Sequence, residues 1–457
     1  MKYSGWIVSV GLVFGGCSLN EQALQPREVL PLAYTAQAEE VRAQISPAWW
    51  KAFNIAALDE LVEEALAQNY DILIAQERLR QARTQIRIAE ANMLPSASFS
   101  ANTSASESKR SGESWSSGES SRLSLGVSYE LDLWGRLEAQ TRMAKSAYTA
   151  SAYDLEASRL SLSASVVSYY LQLCALERRV ALAEENLAIA EKLLDIVERK
   201  EREGLATLMD VNRQKATLLQ NRSSLLSLQN QAKQTANALA LILGKPVQEL
   251  DVSVVFFDAI APLEVGAGLP SELLTRRPDI AAAMMRLQNA QDAIHVAHTA
   301  RFPSFSLTGS AGLASVALLS LSNPLTTTLS GALGLSYTLF DGGKLDEALE
   351  AARSKGDETV LDVEKTILTA LKEVEDALLE RALSAKQLGL QEEILHLEKI
   401  TLDQSTLRYQ EGVSDYATLL DAQRSFYQAQ DQRATQLLSL LNATVTLHKV
   451  LGGGWAQ

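Results

Sequence analysis

This 457-residue sequence repeats itself at a fixed spacing of 208 positions. Asp71-Ile72 returns as Asp279-Ile280, Leu94-Pro95-Ser96 as Phe302-Pro303-Ser304, Tyr129 and Leu131 as Tyr337 and Leu339, Glu203-Gly204 as Glu411-Gly412, and Leu243-Gly244 as Leu451-Gly452. Five matches in one order at one offset mark a duplicated unit. Any fold for this chain must therefore be assembled twice. The first copy covers 55–250 and the second 271–457, and the linker 251–270 holds the breakers Pro262, Gly266, Gly268 and Pro270.

Each copy opens with helical periodicity. Leu58, Leu61, Val62, Ala65 and Leu66, then Leu73, Leu79, Ala82, Ile86 and Ala89, predict one helix running to Pro95. Its counterpart starts at Ser271, a suitable N-cap, and stops at Pro303. A far longer run follows. Residues 136–203 contain no Pro or Gly, and Leu162, Val166, Tyr169, Leu173, Leu176, Val180 and Ala183 alternate in steps of four and three, the heptad of a coiled coil. At about 1.5 Å per residue that run reaches roughly 100 Å, the length of a rod or tube wall. A turn at Glu203-Gly204 leads to a return helix over 205–243, with Val211, Leu218, Leu225, Ala232 and Leu239 seven apart. The second copy repeats the plan over 344–411 and 415–451. There Arg381, Ser384, Gln391 and Glu398 interrupt the heptad, which suits either a water-filled lumen or a curved helix wall.

Between the opening and long helices lies a hairpin, over 96–133 and again over 303–340. From Arg122 to Leu133 odd positions are apolar and even ones polar or small, and Leu329, Leu333, Leu335, Tyr337 and Leu339 repeat the rule opposite Ser330, Gly334, Ser336 and Thr338. The partner strands, 97–105 and 305–313, alternate more weakly, and Ser- or Gly-rich tips are expected over 106–121 and 315–327. An antiparallel sandwich would alternate too. Here the polar face is mostly Ser, Gly and Thr, as in a wetted lumen, and the apolar face ends in Tyr129, Trp134, Tyr337 and Phe340, as in a lipid-facing barrel with an aromatic girdle. Four strands cannot close a barrel, and lipid does not tolerate an open edge, so the chain is expected to oligomerise.

The N-terminus adds an address. Lys2, the apolar stretch Trp6 to Phe14 and Gly15-Gly16-Cys17 read as a signal peptide over 1–16 ending in a lipobox. Cys17 would carry a diacylglycerol and palmitate, and 17–54 would be the lipidated N-terminal segment. A plain signal peptide with an incidental cysteine is the alternative. Ser18 after the cysteine favours the outer membrane. Cys174, the other cysteine, reads as a buried small hydrophobe, and two cysteines leave no zinc site. A hydrophobic content of 47% excludes a disordered chain, and a net charge of −13 argues against nucleic acid as a partner. No segment beyond the N-terminus approaches a membrane-spanning helix.

With these parts assembled, the sequence resembles the outer-membrane efflux channels of the TolC family, in the lipoprotein branch that serves tripartite multidrug pumps. The resemblance rests on Leu274-Thr275-Arg276-Arg277-Pro278-Asp279-Ile280, on Phe302-Pro303-Ser304-Phe305 with Leu307-Thr308-Gly309, on the corner Tyr129-Glu130-Leu131-Asp132-Leu133-Trp134-Gly135, and on Tyr416-Ala417-Thr418-Leu419-Leu420-Asp421-Ala422-Gln423-Arg424. It implies a mixed α/β membrane protein. Three protomers would give four strands each to a twelve-stranded outer-membrane β-barrel, continued by a long periplasmic α-helical barrel with an equatorial domain. Its partners would be two further copies, outer-membrane lipids, a periplasmic adaptor and an inner-membrane transporter, the proton-driven RND type first among them. The setting would be a Gram-negative cell.

The gate is expected where the long helices turn, near Gly204 and Gly412. Both return helices carry Asp-x-x-Arg beyond the turn, Asp210 with Arg213 and Asp421 with Arg424, and residues three apart share a helix face. The two pairs stand 211 positions apart. A longer second turn is therefore expected, leaving the second helix pair free to move. The resemblance places Asp421 at the periplasmic aperture, in a ring of three carboxylates held shut by bonded arginines. Thr418 occupies the position where some members carry a second acid, and Tyr409 and Tyr416 are candidate partners across the tip. A helix-dipole role for Asp421 is the plainer reading.

His295 and His298, one turn apart, read as packing residues, not metal ligands, and the sequence holds no Gly-x-Ser-x-Gly elbow, P-loop or His-Glu-x-x-His motif, so no enzyme, metal site or bound cofactor is expected. Two classes remain: an exit duct, for drugs and small molecules first and for metal ions or type I secreted proteins second, or a structural coiled-coil lipoprotein tether. Lipid-facing hairpins favour the duct.

Overall fold

The computed structural model describes residues 23–27, 34, 48–109, 111–112, 114–264, 273–316, 321 and 326–453. The signal peptide, Cys17, most of 17–47 and Ser271 lie outside them. Its elements recur at the sequence spacing: α1 (Ala56–Gln68), α2 (Tyr70–Ala91), β1 (Ser96–Ser108), β2 (Ser116–Leu131), α3 (Arg136–Arg202) and α4 (Leu208–Ile242), then α5 (Leu273–Arg276), α6 (Pro278–Thr299), β3 (Ser304–Ser315), β4 (Thr326–Ser336), α7 (Lys344–Gln410) and α8 (Tyr416–Val450). The long helices α3 and α7 are 67 residues each, about 100 Å of helix.

The opening helix is two helices, not one. Asn69 leaves the helical region, and its Oδ1 accepts from the backbone N–H of Asp71 and Ile72, so it both ends α1 and caps α2. Its Nδ2 donates to the carbonyl of Ile242 at the end of α4, 2.8 Å away. Arg277 does the same work in the second copy, donating to the carbonyl of Val450 at 3.1 Å with Asp279 and Glu373 around its guanidinium. The Leu-Gly repeat has its cause beside these contacts. Gly244 and Gly452 hold positive φ just past the return helices, and a Cβ there would stand 2.8 Å from the Gln68 carbonyl oxygen and 2.3 Å from that of Arg276.

The four strands form one antiparallel sheet in the order β1-β2-β3-β4, so the two copies join through β2 and β3. The first hairpin is longer than its serine content suggested. Pairing runs out to Ser108 opposite Ser116, where a loop over 106–121 was expected. Cross-strand hydroxyl pairs, Ser100 with Ser124 at 2.7 Å and Ser104 with Ser120 at 2.9 Å, let a Ser-rich segment continue the ladder. Trp134 has a role at the corner of the fold. Its indole donates to the Pro303 carbonyl at 2.7 Å and its ring leans on Phe302, fixing the strand-to-helix corner.

The largest core joins Trp49, Trp50, α1, the middle of α3 and parts of α4 and α8, with Cys174 buried inside it. A second core holds α6 and α7 against the end of α8. Of the interruptions in α7, Gln391 belongs to the helix seam, where it is buried and donates to the Ala429 carbonyl of α8 at 3.1 Å, while Arg381 donates to the Leu263 carbonyl. His295 approaches the Trp134 carbonyl at 3.2 Å and His298 packs edge-on against Phe302, as the packing reading expected.

Candidate functional site

Two regions carry the candidate functional residues: the sheet, and the tip where the long helices turn back. On the sheet, strand pairing puts Phe99, Leu125, Ala311 and Leu329 in one row and Leu307 opposite Leu333 in another, all on one face. Leu329 is 88% exposed, Phe99 70% and Leu333 68%. Burying such a face in water-facing protein would be the rule, so its exposure calls for lipid or a partner. The opposite face carries Ser100, Ser124, Gly126, Ser310, Ser330 and Gly334, with Ser310 and Ser330 bonded at 2.7 Å.

The tip begins with two caps that are mirror images in residue type. In the first copy Thr207 is the N-cap of α4: its hydroxyl accepts from the Asp210 N–H at 3.2 Å, while the Asp210 carboxylate accepts from the Thr207 N–H at 3.0 Å and its hydroxyl at 2.7 Å. In the second copy Asp415 is the N-cap of α8 and accepts from the Thr418 N–H at 2.9 Å and from the Thr418 hydroxyl. Hydrogen bonds from Thr207 hold Asp210 below the ordinary carboxylate range, and those from Thr418 do the same for Asp415.

These caps correct two expectations. The structural partner of Asp210 is Thr418, not Asp421, and both turns, 203–207 and 411–415, have the same length. There is no longer second turn to free one helix pair. Nor do the Asp-x-x-Arg pairs close: among the described residues neither Asp210 with Arg213 nor Asp421 with Arg424 forms an ion pair, because Asp210 is engaged by its cap and Arg424 reaches across to α4, donating to the Thr217 hydroxyl at 3.2 Å. Asp421 is exposed on α8.

What ties the helices of the tip within one protomer is a buried chain that sequence reasoning half saw. Tyr416 donates its hydroxyl proton to Gln214 Oε1, and Gln214, fully buried, donates to the Ala190 carbonyl at 2.8 Å, so α8, α4 and α3 are tied in one line. Burial pushes the Tyr416 hydroxyl well above its ordinary pKa, keeping it protonated as a donor. The Tyr409 and Tyr416 rings meet edge-on at 5.8 Å, the Lys200 ammonium lies 3.9 Å over Tyr409, and Leu193, Val197, Val211, Leu419 and Leu420 complete a small core. Farther from the tip, Arg179 on α3 makes a two-pronged ion pair with Asp431 on α8 at 2.6 and 3.0 Å. Gln214, Thr217 and Asp415 escaped the sequence reading. The 208 spacing applied at the turns would have aligned Thr207-x-x-Asp210 with Asp415-x-x-Thr418.

Comparison with known proteins bears on the chain as a whole. The family profile described as "Outer membrane efflux protein" matches residues 61–245 and again 269–453, once per copy. The chain belongs to the outer membrane efflux protein family. It is 35% identical over 461 residues to the pyoverdine export outer membrane protein OpmQ of Pseudomonas aeruginosa, covering 98% of this chain and 96% of that one. It is 32% identical to the probable efflux pump outer membrane protein TtgC of Pseudomonas putida, covering 97% and 94%. Among solved structures, the outer-membrane channel OprN superposes with a TM-score of 0.87 at 29% identity over 94% of this chain and 98% of that one, and CmeC of Campylobacter jejuni with 0.90 at 26% over 96% and 95%. The efflux-channel reading of the sequence therefore stands: the chain is the outer-membrane channel component of an efflux system that works with adaptors and inner-membrane transporters, its sheet in the outer membrane and its long helices in the periplasm.

Proposed function

We propose that three copies close one twelve-stranded barrel and form a passive exit duct for drugs and other small molecules, gated at the tip of the long helices. The open sheet carries this reading: its two edge strands, β1 and β4, each pair on one side only, and its apolar face is exposed. A proton-driven RND transporter is the partner assigned, and a lipid on Cys17 is the N-terminal anchor. The lumen face is mostly Ser, Gly and Thr, with Arg122 and Glu130 its charged residues on β2, and selection among cargoes is assigned to the transporter.

The gate has a physical asymmetry other than turn length. Within a protomer, α8 is bonded to α4 and α3 by Tyr416–Gln214, Arg424–Thr217 and Arg179–Asp431. The repeat spacing gives the matching seam between copies Leu208 with Ala422, Ala216 with Ser425, and Ser223 with Gln387. At these three positions the counterpart seam offers no ion-pairing side chain and no tyrosine. The tip therefore parts between protomers while each protomer's helices stay tied. Asp421, exposed beside the tip core, belongs to a three-carboxylate ring at this aperture, where a captured cation bridging the carboxylates holds the constriction closed. In planar bilayers the wild-type channel is expected to conduct weakly with cation preference, and Asp421→Ala to conduct more with less preference. An Asp421→Ala channel as closed and as cation-preferring as wild type would remove Asp421 from the gate.

A further inference from the structure

The internal repeat turns one contact inside the chain into a template for a contact between chains. Within the protomer α6 of the second copy packs on α3 of the first. That contact is held by Arg286, which reaches both carboxylate oxygens of Asp154 at 2.7 and 2.6 Å, and by Asn289, which donates to the Met143 carbonyl at 2.7 Å. Moved by one repeat, Arg286 becomes Arg78 on α2 and Asp154 becomes Asp362 on α7, with both residue types retained; Asn289 becomes Gln81, still an amide donor, and Met143 becomes Ala351. Yet α2 and α7 of one chain do not pack on each other, and among the described residues neither the Arg78 nor the Asp362 side chain has a hydrogen bond or ion pair.

We infer that α2 of a neighbouring copy seats against α7 beside the groove between α6 and α7, with Arg78 of one chain paired to Asp362 of the next. The reading rests on the trimer proposed above. Asp362 lines that groove together with Val363, Thr366 and Ala290. Burial along the short helices tells the same story: Ala282 on α6 is fully buried, while its counterpart Ile74 on α2 is 49% exposed, an apolar side chain awaiting the neighbour that α6 already has. The sheet repeats the logic, since the β2–β3 pairing inside the chain leaves β4 and β1 as the edges that must meet between copies. A second copy is the one occupant that brings an Arg at position 78 to an Asp at position 362 with the geometry already realised by Arg286 and Asp154.

The test uses the full chain, purified in detergent. Arg78→Cys with Asp362→Cys, treated with a short bis-maleimide, is expected to yield covalent dimers and trimers. Arg286→Cys with Asp154→Cys is expected to link within one chain and leave a monomer band; the single-cysteine chains give the background, since Cys174 is buried. In parallel, Arg78→Glu or Asp362→Arg alone should lower the temperature at which the solubilised trimer parts, and the double exchange should recover most of that loss. A trimeric particle in which only the 154/286 pair links, and in which the double exchange recovers nothing, overturns this inference and leaves the trimer standing. A particle that is monomeric throughout overturns both.

Discussion

At the scale of single residues, the motifs shared by the two copies are structural fastenings. Leu-Gly at 243–244 and 451–452 survives because the glycine turns the chain with positive φ directly against another backbone. Gly412 also has positive φ, at the tip, but a Cβ there would meet nothing within 4 Å. The two sites separate strain from crowding. Gly412→Ala is expected to cost only the left-handed penalty, about 1–2 kcal/mol. Gly452→Ala adds a clash with the Arg276 carbonyl and is expected to cost several times as much, read as a much larger fall in melting temperature. Equal falls would refute the crowding argument. Much of the candidate site was legible at this scale, in Tyr409, Tyr416 and Arg424. Gln214 was not, because a buried glutamine in a heptad is read as surface until its carbonyl partner is known.

At the scale of elements, the rods and return helices follow from periodicity and breakers, with bounds that agree with the sequence to within about three residues, whereas β2 starts at Ser116, six residues before the alternating run at Arg122. The break at Asn69 was hidden because the apolar spacing continues across it: helix periodicity reports burial, whereas the break is a capping event set by one side chain. The docking of α8 makes a separate prediction. His448 lies in its last turns, stacked on Trp49 at 5.0 Å, with neither ring nitrogen bonded. Burial, aided by the charge of Arg381, lowers its pKa to about 4. The unfolded chain therefore binds this proton first, so the contribution to stability is complete above the ordinary histidine value near 6.5 and is lost as pH falls from there toward 4. The loss amounts to about 3 kcal/mol per protomer. Melting curves at pH 7.5 and pH 4.5 should show a smaller acid shift for His448→Phe, which keeps the stacking, than for wild type. An identical shift in both would show that His448 is not the group responsible.

At the scale of the whole molecule, a single chain is an unfinished object. Its sheet has two free edges, its apolar strand face is exposed, and α2 lacks the neighbour that α6 has. The sequence disclosed the duplication and the two-faced strands. It did not disclose which contacts lie within a chain and which between chains, because the repeat makes the two kinds look alike until one set is seen formed. Once seen, the contrast has a direction: Arg286–Asp154 keeps its residue types when carried to the neighbour, and the bonded contacts at the tip do not. Copies are thus fastened near the short helices and left loose where the duct must open.

That claim is tested by linking the tip in two ways in an Asp421→Ala channel and recording single-channel conductance before and after adding a short bis-maleimide. Leu208→Cys with Ala422→Cys spans neighbouring copies, and Gln214→Cys with Tyr416→Cys spans helices of one protomer. Opening between protomers predicts that the first link returns the channel to its closed level and the second leaves its conductance unchanged. Closure by the link within a protomer, with no effect of the link between copies, would contradict it.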